Sequence, residues 1–391
     1  MSESWTTTPI TSDVLRGVLE LERGAHGVVP HRLPAWARAQ CGDPQLHLAE
    51  GQPAGARLVL RTAAHAVELD VLPTRYGFRG APPRPRGVFD LLVDGALVAQ
   101  SVAPTATTVT IDPATGAREH LPGEVGTVRF SGLPAGTKDV ELWLPHNEAL
   151  ELVELRTDAA VEVPAGASRP RWVHYGSSIS HGSNAEHPTG TWPALVALGA
   201  GLDLFNLGLS GSALLDPFVA RTMRDTPADR LSVKIGINVV GGDLMRRRAF
   251  GPAVHGFLDT LREGHPTAPL LVVSPLYTPI HEDTPGPGAF DMEAMAAGRT
   301  AFRATGDPAE VAAGKLTLAV VREELRAVVA QRAATDPHLF YLDGRELYGP
   351  DDYAELPLPD ELHPDGATHR RIAERFRDLA LGGEWGQAPA A

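Results

Sequence analysis

Polar residues with catalytic potential follow apolar, strand-like segments in the second half of the chain. The run Gly176-Ser177-Ser178 comes directly after such a segment, and Asp360 and His363 stand three residues apart on one predicted loop. A serine hydroxyl becomes a good nucleophile only when a base removes its proton, and that base needs a partner that fixes its tautomer. These residue types therefore predict acyl transfer through a serine, with His363 as the base and Asp360 as its partner.

Acyl transfer also needs donors that stabilise the oxyanion of the tetrahedral intermediate. Three candidates follow three different predicted strands: the backbone N–H of Ser178, the backbone N–H of Gly211 and the side-chain amide of Asn238. Ligands of open parallel sheets bind beyond the carboxyl ends of the strands. We therefore expect the three groups to meet there.

Each of these motifs also has a purely structural interpretation. Gly-Ser-Ser after a strand is typical of a turn or helix cap, and Asp360-Glu-Leu-His363 before a helix is compatible with capping. The run from Asn206 to Gly211 resembles a tight strand–helix turn whose glycines serve backbone geometry. The combination of all four at strand ends favours the catalytic interpretation.

The elements that must position these residues alternate in type after residue 170. Apolar runs predict strands, and amphipathic patterns between them predict helices, of which the clearest contains Leu318, Val321, Leu325 and Val328. Such alternation predicts a parallel sheet covered by helices on both faces. The predicted strands are Trp172–Tyr175, Leu204–Leu207, Val233–Ile237, Leu270–Val273 and Leu339–Leu342.

The first part of the chain has a different pattern. Val67, Leu69 and Val71 alternate with acidic residues, which predicts a strand with one buried face. The dipeptide Asp94-Gly95 between two apolar runs predicts a hairpin. Several short strands without helices between them predict a β-sandwich or jelly roll. Further predicted strands are Thr107–Ile111, Val125–Phe130, Val140–Leu144 and Leu150–Leu155.

These patterns divide the chain into five parts. Residues 1–45 are predicted to form a helical extension, because Ser12 can cap a helix that carries Val14, Leu15, Val18 and Leu19. The remaining parts are a β-sandwich at 46–164, a Pro/Gly-containing linker at 165–170, an α/β domain at 171–385 and a tail at 386–391. A weakly patterned segment from Tyr277 to Gly314 is predicted to be a lid that excludes water.

The α/β part resembles the SGNH/GDSL hydrolase superfamily. The Gly-Asp-Ser of its first block corresponds to Gly176-Ser177-Ser178, which makes Ser178 the nucleophile. The later blocks correspond to Gly211, Asn238 and the pair Asp360 and His363. Trp192-Pro193 is similar to the dipeptide that often opens the first helix of the family. The resemblance implies a flavodoxin-like, three-layer fold, with Ser178, Gly211 and Asn238 as the oxyanion hole.

Two positions depart from the family pattern. Ser177 stands where the family has aspartate, and Val239 follows Asn238 in place of the frequent acidic residue. With its β-rich first domain, similar to carbohydrate-binding modules, the whole chain resembles an actinobacterial subgroup. That subgroup includes acyltransferases of tetracycline-type polyketide biosynthesis, with salicylyl as a transferred group.

Three functions remain open at this stage. The first is transfer of an acyl group from a coenzyme-A-type thioester to a natural-product hydroxyl. The second is hydrolysis of small or carbohydrate esters, and the third is glycan binding by a protein whose site is vestigial. Arg246, Arg247 and Arg248 either form a solvated, ion-paired surface or bind the phosphates of the donor.

Composition excludes several other classes. Acidic residues outnumber basic ones, 48 against 35, so nucleic acid is disfavoured as a partner. The single cysteine, Cys41, cannot form an intramolecular disulfide, and the histidines show no metal-binding spacing, so we expect neither cofactor nor metal. No signal peptide or membrane span is visible, which predicts a cytoplasmic protein with small-molecule partners. The sequence leaves the oligomeric state open.

Overall fold

The computed structural model describes residues 5–112, 115–163 and 169–387. The chain divides into two compact units. Unit 1 comprises Met1–Arg38, Glu50–Ser168 and Glu186–Thr189, and unit 2 comprises Ala39–Ala49, Arg169–Ala185 and Gly190–Ala391. Of the predicted linker, residues 165–168 lie outside the described residues, as do residues 388–391 of the predicted tail.

The described part of unit 1 has 14 strands and one short α-helix, α1 (Ala35–Arg38). The strands are β1 (Thr6–Thr8), β2 (Leu15–Arg16), β3 (Glu20–Arg23), β4 (Val28–His31), β5 (Arg57–Thr62), β6 (Ala66–Phe78), β7 (Val88–Val93), β8 (Ala96–Val102), β9 (Thr107–Ile111), β10 (Arg118–Leu121), β11 (Gly126–Ser131), β12 (Lys138–Trp143), β13 (Ala149–Thr157) and β14 (Val161–Glu162).

The strands of unit 1 form two sheets around one apolar core. The first sheet has the order β10-β9-β6-β13-β4-β3, with β1 beside β13 and β11 beside β6. The second has the order β14-β5-β12-β7-β8, with β2 beside β5. Val67, Leu69 and Val71 of β6 point into the core together with Leu58 and Leu142 of the second sheet. The β-sandwich prediction is therefore confirmed.

The predicted hairpin is also present, with Asp94 and Gly95 at φ 48° and 82° between β7 and β8. Positive φ at both central residues matches the right-handed twist of the flanking strands. Trp143 of β12 is 1 % exposed and lies in the interior.

The helix predicted near Ser12 is wrong, because the described part of residues 1–45 contains β1 to β4 instead. Gly17 adopts φ 81°, and a Cβ there would overlap the backbone of Gly55 and Ala56. The chain therefore turns at Gly17 and does not continue as a helix. Leu15 pairs with Leu58 in the second sheet, so its burial comes from a distant strand.

Seven strands and twelve α-helices lie in the part of unit 2 that the structure describes. The strands are β15 (Arg171–Gly176), β16 (Asp203–Gly208), β17 (Arg230–Lys234), β18 (Leu270–Val273), β19 (Gly288–Phe290), β20 (Phe302–Ala304) and β21 (Leu339–Leu342). The helices are α2 (Pro44–Glu50), α3 (Ser178–His181), α4 (Trp192–Ala200), α5 (Pro217–Asp225), α6 (Ile237–Gly241), α7 (Arg247–Gly264), α8 (Met292–Ala296), α9 (Leu318–Arg332), α10 (Gly344–Leu347), α11 (Pro350–Glu355), α12 (Gly366–Phe376) and α13 (Glu384–Gln387). Short 3₁₀ turns lie at Pro188–Gly190, Pro279–His281 and Pro308–Ala313, and a π-helical turn lies at Arg377–Leu381.

Five of these strands form a parallel sheet in the order β16-β15-β17-β18-β21. This is the flavodoxin-like order 2-1-3-4-5. Trp172 of β15 packs against Trp192 of α4 and Phe376 of α12, whereas Tyr175 of the same strand stacks on Phe257 of α7. Because alternate residues of a strand face opposite sides, helices cover both faces of the sheet. The predicted three-layer α/β fold is confirmed.

Two local details differ from the sequence prediction. The predicted strand Val233–Ile237 is Arg230–Lys234 in the structure, because Gly236 adopts φ 130° and the chain then enters α6. The segment from Tyr277 to Gly314 is folded, since it contains a two-stranded sheet of β19 and β20, helix α8 and two 3₁₀ turns. Among the described residues, no helix combines the length and apolarity that crossing a membrane requires.

Candidate active site

The residues predicted to form a relay are in hydrogen-bond contact. Ser178 Oγ lies 2.9 Å from His363 Nε2, and His363 Nδ1 lies 2.8 Å from Asp360 Oδ2. An ionised carboxylate can only accept, so Nδ1 carries the imidazole proton and Nε2 accepts from the serine hydroxyl. This is the tautomer that a general base needs.

The Asp360 carboxylate is mostly buried and receives four hydrogen bonds. Oδ1 accepts from the backbone N–H groups of Leu362 and His363 at 3.0 and 2.6 Å. Oδ2 accepts from His363 Nδ1 and, at 3.1 Å, from the side chain of Asn184. Burial by itself would raise the pKa of Asp360, but these bonds and the attraction of His363 outweigh it and lower the pKa below its usual value. The carboxyl group is therefore ionised at neutral pH.

The serine is presented by the four-residue helix α3 at the end of β15. Ser178 is 6 % exposed, and Ser177 is the N-cap of the helix, accepting a hydrogen bond from Ile179 N–H at 3.3 Å. The hydroxyl of Ser177 thus caps the helix at the position where the family has an aspartate. A short hydroxyl N-cap fits this role because it can accept from the second or third N–H of the helix.

The candidate oxyanion donors belong to loops that are bonded to one another. Leu209 N–H donates to the Gly176 carbonyl at 2.7 Å, which joins the loop after β16 to the loop of the nucleophile. Ala213 N–H donates to Asn238 Oδ1 at 3.1 Å. Because its oxygen is engaged in this way, the amide of Asn238 keeps its Nδ2 hydrogens for another acceptor. Gly211, between these contacts, adopts φ 72°, a conformation that favours glycine.

Sequence reasoning missed three residues of this site. Asn184 donates to Asp360 from φ 63°, and Phe302 lies edge-on to the His363 ring at a centroid distance of 5.5 Å. Gln45 of α2 donates to the Ser210 carbonyl at 2.8 Å, directly beside Gly211. Asparagine adopts positive φ more often than most residues, so the residue type favours the backbone conformation of Asn184. It does not predict the hydrogen-bond partner of the side chain. The other two have no signal in the sequence, because their contacts depend on residues more than 50 positions away.

The arginine cluster is exposed at the start of α7. Arg246 lies 3.6 Å from Asp243, and Arg247 lies 2.7 Å from Glu324. These two ion pairs favour the interpretation of the cluster as a solvated, ion-paired surface. Binding of donor phosphates there would need exchange of the carboxylate partners, so the phosphate site stays a prediction.

Comparisons with known proteins support the same fold. Residues 170–281 match the GDSL-like lipase/acylhydrolase family. No protein of curated function matches the chain in sequence. The salicylyl-acyltransferase SsfX3 from a tetracycline biosynthetic pathway is 28 % identical, with 99 % of each chain covered and a TM-score of 0.76.

Two further solved structures share the fold. A protein described as a GDSL-like lipase from Bacteroides ovatus is 20 % identical, with 96 % of each chain covered and a TM-score of 0.66. A family two carbohydrate esterase from Clostridium thermocellum, solved with cellohexaose, is 14 % identical, with 85 % of this chain and 94 % of that chain covered and a TM-score of 0.54. Residues 170–281 of unit 2 thus match the model of the GDSL-like lipase/acylhydrolase family, and the fold of the chain is similar to that of a salicylyl-acyltransferase.

Proposed function

We propose that the protein transfers an acyl group through a covalent intermediate on Ser178. One observation carries this proposal: the chain of contacts from Ser178 Oγ to His363 Nε2 at 2.9 Å and from His363 Nδ1 to Asp360 at 2.8 Å. In the first half-reaction the hydroxyl oxygen attacks the carbonyl carbon of the donor, and its proton moves to His363. Asp360 stabilises the imidazolium that forms.

The tetrahedral intermediate carries a negative oxygen. The backbone N–H groups of Ser178 and Gly211 and the Asn238 amide donate to it in this proposal, and one such donor typically contributes about 100- to 1000-fold in rate. The intermediate collapses as the bond to the leaving group breaks, and His363 returns the proton to that leaving thiolate or alkoxide. Ser178 is then acylated.

In the second half-reaction an acceptor hydroxyl gives its proton to His363 and attacks the acyl-enzyme. A new ester forms, and Ser178 regains its proton from His363. We propose a hydroxyl of a polyketide-type natural product as the acceptor and an acyl-CoA-type thioester as the donor, with an aryl group such as salicylyl as the transferred acyl. The support is the 28 % identity with a salicylyl-acyltransferase over 99 % of both chains.

The nucleophile is tested by Ser178→Ala, with Ser101→Ala on β8 of unit 1 as the matched control. We expect turnover of a p-nitrophenyl ester to fall by about 10⁴-fold or more in the first variant, because loss of a catalytic serine removes the covalent route. The control is expected to match the wild type. Equal activity of Ser178→Ala and the wild type would contradict the proposal.

Transfer and hydrolysis are separated by a partition experiment. The enzyme is given an aryl-CoA thioester with a panel of polyphenolic alcohols, and the ester formed is compared with the free acid released. The proposal predicts that ester exceeds acid at saturating alcohol. Free acid alone would make the protein an esterase, and release of neither product would favour a binding protein.

A pantetheine thioester in parallel tests Arg246, Arg247 and Arg248, since it lacks the nucleotide phosphates that they are proposed to bind.

A further inference from the structure

The segment predicted to be a lid carries a pair of aromatic side chains, one of which contacts the His363 imidazole. Phe290 of β19 and Phe302 of β20 are directly opposite each other in the two-stranded sheet. Their rings are stacked, with centroids 4.9 Å apart and an interplanar angle of 29°. Both side chains are only partly buried, so the pair presents apolar surface and is not enclosed in the core.

One end of this hairpin is bonded to the catalytic loop. Phe302 N–H donates to the Asp360 carbonyl at 3.0 Å, and its ring meets the His363 ring at a centroid distance of 5.5 Å and an angle of 77°. An edge-to-face contact of this kind directs the positive edge of one ring at the negative face of another. The position of Phe302 is therefore fixed relative to the base that handles the proton.

The other end of the hairpin rests on α6, the helix that carries Asn238. A Cβ added to Gly286 would overlap the Val240 carbonyl oxygen, and one added to Gly288 would lie 3.6 Å from the Gly241 carbonyl oxygen. Such a close approach of two backbones needs glycine at position 286. The hairpin thus contacts α6 at one end and the loop of Asp360 and His363 at the other.

We infer that the Phe290–Phe302 pair forms a wall of the acyl-binding site and selects flat aromatic acyl groups over short aliphatic ones. This inference rests on the proposed function, because it assigns a specificity element to the same acyl-enzyme. An aromatic acyl group bound to Ser178 stacks against the pair and buries apolar area with it, which an acetyl group is too small to do. The wall also covers part of the surface around His363, where water would compete with an acceptor.

The inference is tested with Phe290→Leu and Phe302→Leu, assayed on p-nitrophenyl benzoate and p-nitrophenyl acetate. We expect kcat/KM for the benzoate to fall by about 10-fold in each variant, while kcat/KM for the acetate stays within about 3-fold of the wild type. Phe340→Leu on the edge strand β21 is the matched control and is expected to leave both rates unchanged. Phe302→Tyr retains the ring and is expected to retain the benzoate rate.

Two outcomes overturn the inference. If both substrates lose rate equally, the phenylalanines act through the relay and not on the acyl group. If neither substrate loses rate, the pair has no role in selection. If Phe302→Leu does not fold, Phe290→Leu decides alone, because the backbone hydrogen bond to the Asp360 carbonyl belongs to Phe302 on the other strand of the hairpin. Ser178→Ala distinguishes failure of this inference from failure of the proposed function. If the proposed function is wrong, Ser178→Ala retains activity, whatever the phenylalanine variants do.

Discussion

At the scale of single residues, Asp360 both binds the imidazole of His363 and holds its own loop together. Its Oδ1 binds the N–H groups of Leu362 and His363, while its Oδ2 binds the imidazole and Asn184. The intervening Glu361 adopts φ 67°, a conformation that costs a non-glycine residue energy. The side chain of Glu361 accepts from Tyr353 OH at 2.6 Å, which helps to hold that turn.

Asp360→Asn tests the orienting role. An asparagine presents an amide donor or a neutral oxygen to Nδ1, so it favours the wrong tautomer and no longer stabilises the imidazolium. We expect kcat for an aryl ester to fall by about 10³- to 10⁴-fold, with KM changed much less. Asp351→Asn, exposed on α11, is the control. A kcat within about 10-fold of the wild type would show that the carboxylate has no catalytic part.

At the scale of elements, the nucleophile helix α3 depends on its neighbours for its position. A four-residue helix is too short to be stable by itself. His174 bridges Ser232 Oγ at 2.7 Å and Ser180 Oγ at 2.8 Å, which ties α3 to two strands. The Asn206 amide donates to the Ser180 carbonyl at 2.9 Å, and His181 Nδ1 donates to the Gly208 carbonyl at 2.9 Å.

Gly208→Ala tests how closely α3 must sit on β16. A Cβ at position 208 would overlap the backbone nitrogen of His181, and backbone atoms yield less easily than a flexible side chain. We expect kcat/KM to fall by about 100-fold, since a displacement of about 1 Å at a catalytic group has an effect of that size.

Gly256→Ala is the matched control for that variant. Gly256 lies inside α7, and a Cβ there meets no atom within 4 Å. Alanine favours the helix over glycine, so this variant is expected to be about 0.5–1 kcal/mol more stable and fully active. Thermal unfolding and ester hydrolysis are measured on both variants. Unchanged activity of Gly208→Ala would show that α3 can move without loss of function.

At the scale of the whole molecule, unit 2 encloses histidines that stay neutral. Burial, reinforced by the charge of Lys234, lowers the pKa of His174 from 6.5 to about 3. Burial also lowers the pKa of His369 to about 4, against smaller opposing effects of its bond to Ser183 and the charge of Asp365. His369 accepts from Trp192 N–H and bonds the Ser183 carbonyl, which joins α12 to α4 and to the loop after α3.

These histidines predict a loss of stability in mild acid. As the pH falls below 6.5, the unfolded chain gains protons on both residues while the folded chain does not, so the free energy of unfolding decreases. Each histidine contributes a slope of up to about 1.4 kcal/mol per pH unit in this window. Urea unfolding between pH 7 and 5 measures the slope, which is proportional to the difference in bound protons between the unfolded and folded states. His369→Gln should reduce that difference by about one proton. His120→Gln, exposed on β10, should leave the slope unchanged. Equal slopes in all three proteins would contradict the prediction.

The success of the sequence predictions depended on the range of the interactions involved. The strands Leu270–Val273 and Leu339–Leu342 have the predicted bounds, because apolar runs of that length fit a buried parallel sheet. The first 45 residues were misassigned because the spacing of Val14, Leu15, Val18 and Leu19 fits a helix equally well. The strand partner of Leu15 is Leu58 of β5, more than 40 residues later.

The sequence by itself predicted the proposed chemistry of the site, because Ser178 comes just after β15 and because Asp360 and His363 stand three residues apart on the loop before α12. Only the tertiary structure decided what surrounds them: Asn184 on the carboxylate, Gln45 beside Gly211 and Phe302 against the imidazole. The physical reason is that the end of a strand fixes where a residue emerges from the sheet. The position of a strand end is a local property, which the hydrophobic pattern predicts. Contacts between distant loops depend on how the whole chain packs, and no local pattern encodes that packing.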